Sequence, residues 1–600
     1  MQELTDMAMP DEFSLRRDLC RLWNLFSRRR LLQLLLVVGL LLASSLAEML
    51  SLGAVVPFLG VLAEPERIWG TGKVQALAAW FGWAGPTDLV LPACVAFASA
   101  ALLAGVVRLL ALRASIALAN AIGSDLSIEM YRRTLYQSYA VHLKRNSSDT
   151  ISAVATEVDQ VVFMLNGLLQ LLSGGLVSLA LVAVLLSLNP GVSLALALVV
   201  GGGYGLMLAS SRRQLRRLGQ AIVADQSQRI RSLQEGLGAI RDVILNGSQP
   251  NYTSAYSQAD RSLRRQLGEG QFLALAPRYA MEAIGLTAIA LAALVLANGR
   301  AGFLGALPVL GGLALGAQRL LPTLQLIYGS WSGLRLNQPA LHSVLGYLEQ
   351  PIAPEDLAPP PSPLPLRHSL ELRSVSFRYG LELPWVLRDV HLTIRRGERL
   401  GIVGHTGSGK TTLVDLLMGL LEPTQGVLLL DGEPLRGERL RRWRSSIAHV
   451  PQSIFLTDAS IAENIAFGVS AGQLHREQVK SAADQAQIAD FIESLPLGYD
   501  TPVGERGVRL SGGQLQRIGI ARALYRGAQV LVLDEATSAL DHATEKEVMS
   551  AIAGSSRGLT VVMIAHRLST LSDCDRLVEI NSKSVSGIQS SCRSSKSALD

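Results

Sequence analysis

Gly404-His405-Thr406-Gly407-Ser408-Gly409-Lys410-Thr411 sets three glycines, a lysine and a closing hydroxyl in one short stretch. The spacing G-x-x-x-x-G-K-[ST] suits a cradle for nucleotide phosphates. Glycines let backbone N–H groups turn inward, the lysine reaches the β- and γ-phosphates, and the hydroxyl of Thr411 can go to Mg²⁺. The flanks agree with this chemistry. Leu400-Gly401-Ile402-Val403 reads as a buried strand, and Thr412 to Met418 as a helix whose N-terminus adds a positive dipole end.

Val530-Leu531-Val532-Leu533 is a second buried strand, and Asp534 and Glu535 sit at its carboxyl end. Ligands of parallel α/β sheets bind at such ends. There Asp534 is placed to hold Mg²⁺ through water, and Glu535 to orient and deprotonate an attacking water. The competing reading is a strand that ends in an exposed acidic turn. Between the two strands, Leu510-Ser511-Gly512-Gly513-Gln514 precedes a helical run, Leu515 to Leu524, and makes another anion-binding helix start. One nucleotide does not need two such cradles from one chain.

The elements that carry these residues fill only the second half of the 600-residue chain. Overall, 49% of residues are hydrophobic and 17% charged, well under the roughly 25% charge of an average soluble protein. The apolar excess lies before about residue 330. A bilayer core about 30 Å thick takes roughly 20 apolar residues as helix. Six stretches meet this: 31–62, 89–112, 161–188, 191–210, 277–297 and 301–327. The first follows Arg28 to Arg30. It is too long for a signal-peptide core and shows no clear cleavage site, so it reads as a first spanning helix.

Charge orients these spans. The segment between the second and third carries Arg113, Arg132, Arg133, Lys144 and Arg145, and that between the fourth and fifth carries ten arginines from Arg212 to Arg265. Basic loops stay on the cytoplasmic side, which puts both termini there. A net charge of +6 is explained in this way, with no call for nucleic acid. Apolar residues recur at helical spacing through Leu112–Leu143 and Ile222–Ile244. The spans therefore continue as two long cytoplasmic hairpins that turn near Asn146-Ser147-Ser148 and Asn246 to Pro250; two separate helical insertions are the alternative. Glu48, Arg108, Glu282 and Arg319 are among the charges within or near the spans. Such charges face a water-filled cavity or a partner, or snorkel to the interface, as Arg108 is placed to do. Arg319, with Glu282 and Glu48, is a candidate for an anionic-substrate cavity. The four cysteines, Cys20, Cys94, Cys574 and Cys592, are scattered and suggest neither a zinc site nor a disulfide framework.

Seven prolines between Pro351 and Pro365 make a stiff extended linker. A soluble domain starts near Ser369, with a first strand over Leu370 to Phe377.

The order of these segments resembles the ATP-binding cassette transporters, and Leu510 to Gln514 matches that family's signature LSGGQ in full. The resemblance implies that Ser511, Gly512, Gly513 and Gln514 of one chain close on ATP held by the phosphate loop of a second, so that a homodimer carries two hydrolysing sites. It implies an ATP-binding set of Tyr379 (stacked on adenine), Gly404, Gly407, Ser408, Gly409, Lys410, Thr411 and Thr412. By the same resemblance Mg²⁺ is expected on Thr411, Gln452 and Asp534, and Gln452, in Val450-Pro451-Gln452, matches the glutamine that also contacts the membrane domain. The resemblance implies a catalytic group of Glu535, His566 and Gln452, with His566 on the γ-phosphate, and matches Asp541 to the loop that joins the two sites. Thr501 to Gly507 resembles a segment found before the signature in exporters. Ala47 to Leu50, Pro277 to Tyr279 and Gln318 to Pro322 are similar to bacterial flippases of lipid-linked oligosaccharides, with Arg319 as a phosphate contact.

The expected architecture is an α-helical six-span transmembrane domain with long cytoplasmic hairpins, followed by an α/β P-loop nucleotide-binding domain. Its divisions are a cytoplasmic segment 1–30, a membrane domain 31–345, a linker 346–368 and an ATPase domain 369–580. Asn581 to Asp600 is rich in Ser and Lys, without apolar period, and reads as a disordered tail. The expected function is an ATP-driven exporter or flippase of the plasma (inner) membrane, moving a lipid-linked oligosaccharide or related anionic lipid. Other cargoes of the family (drugs, lipids, peptides) and an ATP-gated channel are the alternatives. A soluble ATPase with a membrane anchor would need one span, not six.

Overall fold

Long apolar runs broken only at Pro, Gly and Asn favour uninterrupted helices, and alternating apolar runs favour strands. The computed structural model follows both patterns into two units. One holds residues 1–135 and 145–351, the other residues 136–144 and 352–600. The structure describes residues 15–54, 58, 61–62, 65–70, 83, 85–188, 190–297, 302–359, 362–504, 507–537, 539–555, 558–564, 574–581 and 584–588.

The first unit is helical: α1 (Leu15–Asn24), α2 (Arg28–Gly53) and α3 (Val90–Leu135). Then α4 (Tyr139–Lys144), which belongs to the second unit, precedes α5 (Ser147–Ser152) and α6 (Val158–Leu188). A π-turn over Ala153–Glu157 joins α5 to α6. After these come α7 (Pro190–Gly238), α8 (Ile240–Leu245), α9 (Gln249–Ala297) and α10 (Gly302–Leu348). Four of these helices have 46 to 49 residues. A 30 Å bilayer takes roughly 20, so each continues past it by more than its crossing length. Pro190 opens α7 at a position where its missing N–H has no intrahelical partner to lose.

Among the described residues, three segments are long and apolar enough to cross a membrane, within 28–51, 86–135 and 147–183. The expected spans 191–210, 277–297 and 301–327 fall on α7, α9 and α10, where part of the side chains lie outside the described residues. Helices approach closely where a side chain is missing. A Cβ on Gly219 of α7 would overlap the carbonyl oxygen of Leu336 of α10, the kind of contact small residues permit between membrane helices. Polar ties fix the ends. Asp18, fully buried, lies 3.2 Å from the Arg21 guanidinium and 3.4 Å from both Gln338 Nε2 and His342 Nδ1, which holds α1 to α10.

The second unit has two sheets. The strands are β1 (Ser369–Phe377), β2 (Leu387–Arg395), β3 (Arg399–Val403), β4 (Gln425–Leu430), β5 (Glu433–Pro434), β6 (Ile447–Val450), β7 (Val530–Asp534), β8 (Thr560–Ile564), β9 (Arg576–Asn581) and β10 (Ser584–Ile588). An antiparallel sheet runs β2-β1-β4-β5, and a six-stranded sheet runs β10-β9-β3-β8-β7-β6. In the latter β9, β3, β8, β7 and β6 are parallel. Helix α11 (Lys410–Leu417) follows β3, α12 (Gly437–Ser445) precedes β6, α13 (Gly512–Tyr525) precedes β7, and α14 (His542–Ser555) follows it. Strands β7 and β8 are buried at every position, as continuous apolar runs in a covered parallel sheet should be.

Two expectations need correction. The linker over 346–368 is not uniformly extended: α10 runs to Leu348, and Pro354–Leu357 makes a 3₁₀ turn. Arg441 fastens it by donating to the carbonyls of Glu355 at 2.6 Å, Ala358, and Pro359 at 2.9 Å. The segment after Ile580 is not disordered from its start. Ser584 to Ile588 pairs antiparallel with β9, in register from Ser584↔Asn581 to Ile588↔Leu577. Val585 and Ile588 are too few to announce a strand, but the open edge of β9 supplies the backbone partners. Residues 589–600 lie outside the described residues.

Candidate nucleotide site

The phosphate loop hangs between β3 and α11. Gly407 and Gly409 take φ of 79° and 99°, where a Cβ is disfavoured, and this turns the loop tightly enough for its N–H groups to converge. Lys410 is buried, and its ammonium donates to the carbonyls of Gly404 at 2.8 Å and His405 at 3.0 Å. The Ser408 hydroxyl is buried within the loop without a protein partner. A buried hydroxyl in a glycine cradle, with a lysine held over it, fits the oxygens of a polyphosphate.

Two adjacent strands bring Gln452 and Glu535 together. Val450 of β6 is in register with Leu533 of β7, and Gln452 and Glu535 each lie two residues further on. Their side chains meet, Gln452 Nε2 donating to Glu535 Oε2 at 2.7 Å. Glu535 has φ of 50°, a left-handed conformation that costs energy for a residue with a Cβ and clusters at functional sites. Its N–H is held by the carbonyl of Ile564 of β8 at 3.0 Å. Asp534 beside it is buried. Burial and then the Glu535 charge push its carboxyl above the usual range, while the Lys410 ammonium pulls it down. Asp415 of α11 escaped the reading of the motifs. It is buried too, and burial with the charge of Asp534 raises its pKa to about 6. Its signal was a lone carboxylate in the apolar run 411–421.

Tyr379 stacks edge-on against Phe377, ring centroids 5.0 Å apart, and its hydroxyl is 3.0 Å from Thr412 Oγ1. From the first hairpin, α4 reaches the same region. Ala140 packs on the core of this unit, and the Tyr139 hydroxyl is pushed up by burial, by Asp415 and by Tyr379. Sequence reasoning placed the turn of this hairpin near Asn146 but did not single out Tyr139.

Ser511 caps α13. Its Oγ accepts from the Gln514 N–H at 3.3 Å, and the Ser511 N–H donates to Gln514 Oε1 at 2.8 Å, a capping box. The helix is tied to the loop after β7: Gln516 Oε1 accepts from the Ala539 N–H at 2.9 Å, and a Cβ on Gly513 would lie 3.2 Å from the Ala539 carbonyl oxygen. Asp541 ends that loop by capping α14 through Thr544, whose N–H and hydroxyl lie at 3.1 and 2.8 Å and hold the carboxyl below its usual range. Lys410, Asp534, Glu535 and Gln452 thus form one group, and Ser511 to Gln514 with residues 539–541 form another. His566 lies outside the described residues, as does the side chain of Arg319 on α10. Glu282 of α9 is exposed, and Glu48 of α2 faces Arg108 of α3 at 3.6 Å, an ion pair rather than a lone snorkelling cation.

Comparison with known proteins covers both units. Residues 387–538 match the family model described as ABC transporter, and residues 34–299 that described as ABC transporter transmembrane region. An ATP-dependent lipid A-core flippase of Ralstonia nicotianae is 32% identical over 467 residues, 76% of this chain and 77% of that protein. A protein of the same name from Alkalilimnicola ehrlichii is 44% identical over 262 residues, 44% of each chain. A solved bacterial Atm1-family ABC exporter with ATP bound superposes with a TM-score of 0.75 at 25% identity, covering 93% of this chain and 94% of that one. The chain belongs to the ABC transporter family, as an exporter in which a helical transmembrane domain precedes an ATP-hydrolysing domain that drives transport.

Proposed function

We propose that two copies of the chain form a flippase of the inner membrane that moves an anionic lipid with a large saccharide head, of the lipid A-core class. The observation that carries this reading is the match to lipid A-core flippases over 467 residues, through both the membrane and the ATPase regions. Residues 31–345 cross the membrane six times in this proposal, and residues 369–580 with both termini lie in the cytoplasm, as the basic hairpins favour.

ATP is held by the Gly404–Thr412 cradle, with Tyr379 against the base. The hydroxyl, amide and carboxylate oxygens of Thr411, Gln452 and Asp534 suit Mg²⁺, which would neutralise charge on the phosphates. Glu535, oriented by Gln452, accepts a proton from the attacking water. The capped start of α13 presents its N–H groups to the ATP of the second copy, so that closure of both sites draws the two ATPase domains together. Helix α4, seated beside Asp415 and Tyr379, passes that motion to the membrane helices.

Native mass spectrometry of lipid retained by the purified protein, with translocation of that lipid in liposomes, tests the reading. Retention and ATP-dependent movement of a saccharide-bearing anionic lipid, weakened by Arg319→Ala, is the expected result. A retained polyprenyl pyrophosphate would reassign the cargo to lipid-linked oligosaccharides. Neutral drug-like ligands alone, or ion current without lipid movement, would overturn the flippase.

A further inference from the structure

Helices α1, α2, α3 and α6 enclose an apolar groove of about 380 Å³, with Leu22, Phe26, Leu34, Leu118, Ile122 and Leu169 in its wall. An apolar cavity of about 150 Å³ takes the six carbons of benzene, so by proportion this one takes on the order of fifteen. That is the size of one fatty-acyl chain.

Its depth and its rim point to the same occupant. Phe26 and Leu34 of the lining bracket Arg28, Arg29 and Arg30, where α2 begins. Lining residues Leu34 to Val38 stand about 9 to 15 Å along α2 from Arg28, at 1.5 Å per residue. This is the depth of the upper part of an acyl chain. Arg30 is engaged by Asp125 of α3 at 2.7 and 3.0 Å, while Arg28 and Arg29 are exposed. Trp23 on the rim is half exposed, as an aromatic at a headgroup boundary is. The walls stand by themselves: the buried Asp18 holds α1 to α10, and Arg30–Asp125 holds α2 to α3.

Within a bilayer an acyl chain gains nothing by exchanging lipid neighbours for leucines. Retention of one lipid over others therefore depends on its head, and two exposed guanidiniums favour a net negative phosphodiester. We propose that the groove binds one acyl chain of an anionic phospholipid of the cytoplasmic leaflet, its phosphate on Arg28 and Arg29. It is read as a resident lipid rather than cargo, since among the described residues neither Glu282 nor Glu48 of the assigned cargo cavity lines it. The proposal rests on the membrane orientation given above.

The full-length protein in nanodiscs of equimolar phosphatidylglycerol and phosphatidylethanolamine, released into a native mass spectrometer, tests it. One phosphatidylglycerol per chain should survive activation, in at least tenfold preference over phosphatidylethanolamine. The preference should fall to near unity in Arg28→Gln/Arg29→Gln. Ile122→Phe, which fills the groove, should lose the adduct. Basal ATP hydrolysis in each variant shows that it is folded. Equal retention of both lipids by the unaltered chain, or an adduct unchanged in both folded variants, overturns the site. If Ile122→Phe does not fold, the arginine variant decides alone. Loss of lipid translocation with the adduct intact would count against the flippase and leave the groove standing.

Discussion

Gln452 and Glu535 share a hydrogen bond of 2.7 Å across the ends of two neighbouring parallel strands. In the proposed mechanism the bond orients the carboxylate that takes the proton of the attacking water. Glu535→Gln keeps the shape but removes the base, and the turnover rate should drop at least a hundredfold with ATP still bound. Steady-state phosphate release beside nucleotide binding measures both, and unchanged turnover would remove Glu535 from the mechanism.

Gln452→Ala should lower turnover by roughly ten- to a hundredfold, since a misaimed base loses much of its effect. In a Glu535→Gln background the same change should cost little. A double-mutant cycle reads this coupling, and additive losses would show that the two residues act separately.

A chain with Lys410→Ala lacks its phosphate lysine, and one with Ser511→Ala loses the cap of α13, worth about 1 kcal/mol to the helix. If each ATP lies between the cradle of one copy and the signature of another, mixed dimers of these two variants hold one intact site. Co-expression under two affinity tags, with purification of the mixed dimer, should recover close to half of normal hydrolysis. No recovery would place each site within a single chain.

Ala140→Asp puts a charge where α4 meets the core of the ATPase unit. Basal hydrolysis should persist while stimulation by transported lipid disappears. ATPase assays with and without lipid distinguish the two, and intact stimulation would mean that α4 does not carry the coupling.

The raised pKa of Asp415, about 6, gives a pH signature. From the ordinary Asp range up to about 6 the unfolded chain has lost the proton and the folded one still holds it. Folding therefore becomes less favourable as pH rises through this window, and the cost stays constant above it. Asp415→Asn should raise the melting temperature of the ATPase unit at pH 8, by a stability gain on the order of 1–2 kcal/mol, and leave it nearly unchanged at pH 4. A gain only at low pH would contradict the burial argument.

The ATPase chemistry was legible because it is local. A phosphate cradle needs its glycines and lysine within eight residues, and a buried strand with its terminal carboxylates is a continuous run, so Gly404 to Thr411 and Asp534-Glu535 announce themselves. The long helices were legible for a similar reason, since apolar runs of about 20 residues mark the spans and apolar residues recur at helical spacing through Leu112–Leu143 and Ile222–Ile244. What links distant segments was not. No spacing shows that Gln452 reaches Glu535, that Tyr139 lies near Asp415, or that Asp18 holds α1 to His342, because each pairing depends on strand order or helix packing. The edge of β9 made a strand of Ser584 to Ile588, whose own residues argue for none. The sequence by itself determined which residues stand together in the motifs, and the tertiary structure decided which distant ones meet, because hydrogen bonds and buried charges respond to distance in space and not along the chain.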